Sequence, residues 1–458
     1  MIKIEQSFCS SQALSKPLDL LNRQQCLNRM HQICMVQNNC LDYSFSLLLI
    51  KIDQFRVLRY SLGDDVVDAI SVALAERLQE NISPSMVVAH LREDEFAVLI
   101  ECFCTDEEVL HFAENIHQKL RSPFNVSGVE VCLDTHIGIT NSRISKLEPI
   151  HLLNDAGLAA YIAQHARTDN HCAIFNPQIR EQVTDRLYLE NDLRIGILRQ
   201  EFLLHYQPIY ALEGNRLVGF EALVRWQHPT RGMISPATFI PIAEETGSII
   251  PLGWWVLKEA CQQMKQWQSL FPTLQNATIS VNLSSQQFSQ SNLIEQVKEI
   301  LWETGLETRS LKLEITETVL MDNSESAAAR LKQLQDCGIR LCIDDFGTGY
   351  SSLSYLQRFP VNTLKIDRSF ISQLGSESKS VCFAQAIIQL AHCLGMDVVA
   401  EGIETAEQFW QMKTLQCEYG QGFLWSRPLD VEATESLLRA DLISELGRNP
   451  IAVRPAGL

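Results

Sequence analysis

Six short apolar segments in the second half of the chain end in side chains that can do chemistry: Glu221 and Arg225 in Leu217–Arg225, Asn282 in Thr278–Asn282, Glu314 in Leu311–Thr316, Asp344 and Asp345 at the end of Arg340–Asp344, Lys365 and Asp367 in Thr363–Asp367, and Glu401 after Asp397–Ala400. Any one of these reads equally well as a solvated strand end. The set does not, because five carboxylates gathered at one place repel one another strongly unless cations neutralise them. Oxygen donors from Glu221, Asn282, Glu314, Asp344, Asp345 and Glu401, with no His or Cys among them, suit hard octahedral ions, Mg²⁺ or Mn²⁺, better than zinc. Two such ions about 3.5–4 Å apart, sharing a carboxylate and a bridging water, make a nucleophile for in-line attack on a phosphodiester. Asp344 is the natural shared ligand and Asp345 completes the second site. Lys365 is placed to orient the water or to stabilise phosphoryl charge, against the plainer reading of a lysine snorkelling at a strand end. Arg225 is placed to hold a phosphate, and Trp226 reads as packing.

The elements that must position these residues follow from the pattern around them. Apolar β-rich segments at His205–Tyr210, Leu217–Arg225, Thr278–Asn282, Leu311–Thr316, Arg340–Asp344, Thr363–Asp367, Asp397–Ala400 and Gly422–Trp425 alternate with longer helical stretches. Eight strands interleaved with helices predict a (β/α)₈ barrel, whose active site is built at the C-terminal ends of its strands. Strand parity puts Lys365 with Asp367, and Glu314 with Thr316, on one side. Adjacent Asp344 and Asp345 face opposite sides within a strand, so both reach one site only where the strand turns into its loop. FGTGYSSL (346–353) supplies that turn through Gly347 and Gly349, and such a loop can gate a site.

At 458 residues the chain predicts two domains. Ahead of the barrel, a helix within 15–45, a strand at Ser44–Ile52, a helix at Gly63–Asn81, a hairpin at Met86–Ile100, a helix at Asp106–Leu120, a strand at Val129–Thr140 and a helix at Pro149–Arg167 outline an α/β sandwich ending near Phe175. A charged stretch, Pro177 to Gln200, reads as a linker helix. The formal net charge of −17 argues against DNA, RNA or an anionic membrane surface as partner. The fourteen cysteines form no CxxC pair and read as buried, reduced thiols. No apolar run has the length of a signal peptide or membrane span, so the expected location is cytoplasmic, and no sensory domain is visible in the sequence.

The motifs then allow a resemblance. Residues 186–445 resemble an EAL domain, the bacterial phosphodiesterase family that opens cyclic di-GMP to linear pGpG, through YQPI (206–209), FEALVRW (220–226), SVNLS (280–284), LEITET (313–318), IDDFGTGYSSL (343–353), LKID (364–367), VAEGIE (399–404) and GQGF (420–423). The resemblance implies metal ligation by Glu221, Asn282, Glu314, Asp344, Asp345 and Glu401, and a catalytic role for Lys365 alongside Asp345 and Glu401. It also implies that Glu317 ties down the loop after Asp345, and that Gln207, Arg225, Asp367 and Gln421 lie in or near the substrate pocket. It implies one antiparallel strand near the barrel's start and, frequently, a dimer through the barrel.

The first domain, 15–176, resembles a nucleotidyl-cyclase-like GGDEF domain, the family that makes cyclic di-GMP from two GTP molecules, with the linker helix at 177–200 following it. The match is degraded. The signature hairpin reads LREDEF (91–96), with Arg92 and Glu93 where two glycines let the backbone approach the nucleotide. Lys51 stands at a metal-binding aspartate's position and Arg59 at a guanine-reading asparagine's, while Asp68, Asp94 and Glu95 remain. The inhibitory RxxD site is replaced by SPSM (83–86). A lysine cannot ligate Mg²⁺, so cyclase activity is not expected. Residual GTP binding as an allosteric input and a purely structural role both stay open. For the whole chain the leading expectation is two-metal hydrolysis of cyclic di-GMP. The alternatives are a non-hydrolytic cyclic di-GMP receptor acting through a protein partner, and hydrolysis of another cyclic dinucleotide.

Overall fold

The computed structural model describes residues 20–39, 44–83, 86–101, 105–126, 128–143, 148–165, 170–317, 324–347, 358–374 and 378–446, and the chain falls into two compact units that part at Tyr188 and Leu189. In the first unit, β2 (Ser46–Ile52) reads SLLLIKI without alternation because both of its faces are covered. It lies inside a six-stranded sheet of order β1-β3-β4-β2-β7-β8, where β1 is Leu21–Asn22, β3 Met86–Arg92, β4 Glu95–Ile100, β7 Thr135–Asn141 and β8 Cys172–Ile174. Helices Arg23–Asn39 and Pro149–His165 bury Met30, Ile33, Leu152 and Ala156 against Leu47 and Leu49. Helices Asp64–Glu80 and Asp106–Arg121 bury Val67, Leu74, Ala113 and Ile116 with Leu48 and Ile50. The result is the expected α/β sandwich.

Three details differ from the sequence expectation. The helix expected to start at Gly63 is preceded by a separate helix, Phe55–Leu62, and Gly63 at φ 86° breaks the two apart. The single strand expected over Val129–Thr140 is a small hairpin, β5 (Phe124–Val126) with β6 (Val129–Val131), and then β7. The short β8 pairs parallel with β7 and had no signal of its own. The ten described cysteines are all free, yet Cys132, Cys382 and Cys393 are exposed rather than buried.

One continuous helix, Pro177–Leu198, joins the units. Its first half packs Ile179 and Val183 against Ala159 and Phe175, and its second half sends Leu189 and Leu193 into the other core.

The second unit is a closed barrel. β10 (Arg216–His228), β12 (Thr278–Asn282), β13 (Leu311–Thr316), β14 (Arg340–Phe346), β15 (Thr363–Ile366), β16 (Asp397–Glu401) and β17 (Tyr419–Gln421) run in that order, and β9 (Phe202–Ala211) closes the ring between β17 and β10. β9 is antiparallel to both neighbours, whereas the pairs from β10 to β17 are parallel, and β11 (Gly232–Ile234) adds an antiparallel edge to β10. The last strand lies three residues earlier than expected. The strand ends at Gln421, and the chain turns at Gly422 against the Ile403 backbone, where a Cβ would stand 2.1 Å from its oxygen and only glycine fits. Outside the ring, Trp226 packs with Phe202 and Phe239, and Trp267 meets Tyr206 edge-on. Among the described residues no helix is long and apolar enough to cross a membrane.

Candidate active site at the barrel mouth

Strand parity does most of the positioning. Phe220 and Ala222 go outward into the helical core, so Glu221 between them points into the barrel. The same alternation aims Glu314, between Leu313 and Ile315, and Lys365, between Leu364 and Ile366. Asp344 and Asp345 are brought together by a different device. The ladder between β14 and β15 slips between Ile343 and Phe346, and Asp345 takes the left-handed backbone, φ 53°. That bulge turns two adjacent carboxylates to one side before the strand has ended.

The carboxylates converge. One oxygen each of Glu221, Glu314 and Asp344 lie within 4.8 Å of one another, as do those of Asp344, Asp345 and Glu401, so Asp344 belongs to both groups. Asn282 donates to Glu221 Oε1 at 3.0 Å. Gln421, expected at the substrate, is buried among the acids, where its Nε2 donates to Glu221 Oε2 at 2.6 Å and to Glu401 Oε1 at 3.1 Å. Lys365 does not snorkel. Its side chain is 1% exposed, and Nζ stands 2.5 Å from Glu401, 2.8 Å from Glu314, 3.2 Å from Asp344 and 3.3 Å from Glu221.

Counted fully ionised, five carboxylates around one ammonium carry four excess negative charges, and the acid strengths register the imbalance by favouring protonation at several of them. Glu314 is pushed up to about 8 by burial and by Glu221 and Asp344, against the pull of Lys365. Burial also carries Glu401 well above the usual carboxylate range. Asp345 is raised by burial and then by Asp344 and Asp367. Glu221 alone ends low: burial lifts it, but Lys365 and the hydrogen bonds from Gln421, Lys365 and Asn282 outweigh that. The donor set fits two divalent cations. It is all oxygen, its excess charge when fully ionised equals theirs, and the buried Gln421 Oε1 has no hydrogen-bond partner among the described residues.

Beside the acids lies a cavity of about 480 Å³, walled by His205, Gln207, Arg225, Arg368, Glu401, Glu404, Gln421, Phe423 and Arg427 among others. The Arg427 guanidinium sits 4.3 Å from the centre of the Phe423 ring, and that of Arg368 5.7 Å away. Gln207 and Arg225 both line this cavity. Asp367 is not a wall of this cavity: β15 stops at Ile366, and Asp367 caps the next helix by accepting from the Ser369 backbone N–H at 2.9 Å. Both carboxylate oxygens of Glu317 are buried without a hydrogen-bond partner among the described residues, and the loop it is expected to hold lies outside them. Sequence reasoning missed His205, Arg368, Phe423 and Arg427. His205 was within reach, since it lies two residues before Gln207 and shares its face.

In the first unit Arg59 pairs with Asp64 at 2.9 Å and with Asp68 and Glu93 at 3.6 Å, while Lys51 lies opposite Glu95 in the ladder.

Comparison with known proteins agrees with this architecture. The EAL domain family model matches residues 190–428, and that of the diguanylate cyclase GGDEF domain matches 18–170. A bifunctional diguanylate cyclase/cyclic di-GMP phosphodiesterase, MucR of Pseudomonas aeruginosa, is 36% identical over 391 residues, covering 85% of this chain and 56% of that protein. The cyclic di-GMP phosphodiesterase NbdA of the same organism is 36% identical over 395 residues, covering 86% of this chain and 50% of that protein. The chain thus spans about half the length of these curated relatives. The solved MucR phosphodiesterase in complex with cyclic di-GMP superposes with a TM-score of 0.52 at 42% identity, over 54% of this chain and 99% of that one. The EAL enzyme Bd1971, bound to cAMP and cyclic di-GMP, gives a TM-score of 0.55 at 26% identity, over 87% of this chain and 95% of that one. The carboxylate-ringed barrel and the sandwich before it therefore make this chain a member of the EAL family that carries a GGDEF domain ahead of its EAL domain.

Proposed function

We propose that the barrel hydrolyses cyclic di-GMP to linear 5′-pGpG, and that the first domain serves as a regulatory or structural module without cyclase activity. The observation that carries this reading is the set of five carboxylates around one buried lysine, open to a cavity lined by Arg225, Arg368 and Arg427. Two divalent cations, Mg²⁺ or Mn²⁺, held by Glu221, Asn282, Glu314, Asp344, Asp345 and Glu401, would supply positive charge for the phosphoryl oxygens and an acidified water. The chain's own residues do the rest. Arg225 offers a fixed cation to a phosphate, and its flat fork suits a phosphoryl group better than a lysine would. Lys365 and Gln421 hold Glu221 and Glu401 in one arrangement, so little reorganisation is left for the moment of reaction. Phe423, flanked by two guanidinium groups, offers a stacking face for a base.

The test is incubation of the chain with cyclic di-GMP and Mg²⁺ or Mn²⁺, with and without GTP, followed by chromatography. Metal-dependent pGpG is expected, and Glu221→Ala should lower the rate at least ~10³-fold, several kcal/mol of barrier. GTP alone should give no cyclic di-GMP. Tight binding with no turnover under either metal would overturn the hydrolytic reading in favour of a receptor.

A further inference from the structure

His205 lies on β9 two residues before Gln207, and the residues on either side of it, Leu204 and Tyr206, belong to the buried outer core. In the β9–β10 ladder Gln207 stands opposite Glu221, His205 opposite Leu223 and Leu203 opposite Arg225. His205 is therefore one inward-facing step, roughly 7 Å, beyond the Glu221 level on the side of Arg225, and it lines the same cavity as both. Its ring stands beside the backbone carbonyl of Pro428, whose oxygen favours a proton on the imidazole. That segment is fixed in turn by paired bonds between Tyr206 and Leu429, 2.7 and 2.9 Å long.

A neutral imidazole that donates one N–H to a carbonyl has an acceptor at its other nitrogen. Burial, and after it the Arg225 guanidinium, hold His205 below the usual histidine range, against Asp430 and the Pro428 carbonyl, so the ring is neutral near pH 7. The walls around it are otherwise rich in donors. Arg225, Arg368 and Arg427 can only donate, Glu404 is engaged with Arg368 at 2.6 Å, and Glu401 is within 2.5 Å of Lys365.

We propose that His205 is a specificity-determining substrate contact, whose free ring nitrogen accepts a hydrogen bond from an N–H or O–H group of the bound nucleotide. This rests on the reading of the cavity as the cyclic dinucleotide site. The two donors of cyclic di-GMP that it would read are the guanine exocyclic amine and the ribose 2′-hydroxyl. A site with an acceptor fixed there disfavours a nucleotide lacking the donor, because the acceptor is left desolvated and unpaired.

The test compares the full chain with His205→Ala and His205→Gln on three ligands: cyclic di-GMP, cyclic di-inosine monophosphate, which lacks the exocyclic amine, and the 2′-deoxy analogue of cyclic di-GMP. His205→Ala should raise KM for cyclic di-GMP about tenfold, the worth of one hydrogen bond, with kcat within about twofold. His205→Gln, which keeps an acceptor, should recover part of that. The loss should vanish on whichever analogue lacks the donor being read, which separates base from ribose. An equal loss on all three ligands, or a loss in kcat alone, would overturn the proposal and leave His205 as a support for the Pro428 segment. The same comparison made as Kd with Ca²⁺ in place of Mg²⁺ reads the contact without turnover, so a chain that binds and does not hydrolyse still decides it.

Discussion

The chain carries two clusters of opposite charges, and they are built on contrary principles. Around Arg59 in the first domain, Asp64, Asp68 and Glu93 are 75%, 71% and 65% exposed, and each meets a cation at the surface. Around Lys365 in the barrel, Glu221, Glu314, Asp344 and Glu401 are mostly buried and outnumber their cation. Water screens the three carboxylates of the first set, although Arg59 itself is only 25% exposed. The second set is taken out of water with its charges unbalanced, an arrangement that costs stability unless a ligand completes it. Local charge density alone does not mark a site. Burial together with imbalance does, and of these two clusters the barrel mouth has both.

The largest effect this contrast predicts is on Lys365→Met. Removing the ammonium that touches all four leaves neighbouring carboxylates facing one another in a buried place, and the metal-free chain should lose about 3–5 kcal/mol. All seven tryptophans lie in the second unit, the first of them Trp226, so tryptophan fluorescence during urea unfolding reports the barrel alone. Mn²⁺ should recover more stability in the variant than in the parent, because binding to the folded form offsets a larger repulsion. An unchanged unfolding midpoint without metal would sink the idea that this lysine balances the cluster.

Much of this was legible in the residues. Parity along β13 and β15 aimed Glu314 and Lys365 correctly, because a strand covered on its outer face has no freedom to roll. The convergence of Asp344 and Asp345 was legible only as a requirement. Its means, a bulge with Asp345 in the left-handed region, is a non-local outcome of pairing with β15 that no residue type announces. Asp367 was legible in place but not in its local use: two residues after Lys365 it stands near enough to Asp345 to raise that acid, while β15 stops at Ile366 and a free backbone N–H at the next helix start takes one of its oxygens. The last strand was misplaced because FLW after Gly422 is as apolar as a strand, while the constraint that ends it, the Ile403 backbone against Gly422, comes from elsewhere in the chain.

The first domain has its own cluster of ionisable groups, in which burial keeps His117 uncharged near neutral pH. His117 stacks on His171 at 4.2 Å, its Nδ1 lies 3.1 Å from Thr135 Oγ1, and His136 lies 5.3 Å from His171 with its Nε2 3.0 Å from Asp53. Burial, followed by His171, pushes the His117 pKa down to about 4 from an ordinary 6.5. The unfolded chain therefore takes up this proton at a higher pH than the folded one. Stability present above about 6.5 should be lost as pH falls toward about 4, by roughly 2–3 kcal/mol from this group. Amide exchange in peptides covering 106–141 should speed up across that window, and His117→Gln should flatten the dependence. Equal acceleration in the variant would assign the effect to other groups.

The smallest effect is the one that most directly tests the contrast. Arg59→Asn removes the shared cation of three ion pairs, and counted as pairs it looks costly. Counted by environment it is not: each carboxylate it leaves is already mostly solvated, so the change should stay within about 0.5 kcal/mol and shrink further with added salt. A short contact with the Phe55 ring, 5.9 Å from the guanidinium carbon, adds little at such a site. Differential scanning calorimetry of the full chain at low and high salt measures this directly, with cyclic di-GMP hydrolysis expected to be unchanged. A loss above about 2 kcal/mol that salt does not reduce would mean the Arg59 cluster behaves as a buried, unscreened set. The first domain would then hold a charge arrangement of the same kind as the barrel, and the Arg59 cluster would have to be treated as a site in waiting rather than a surface at rest.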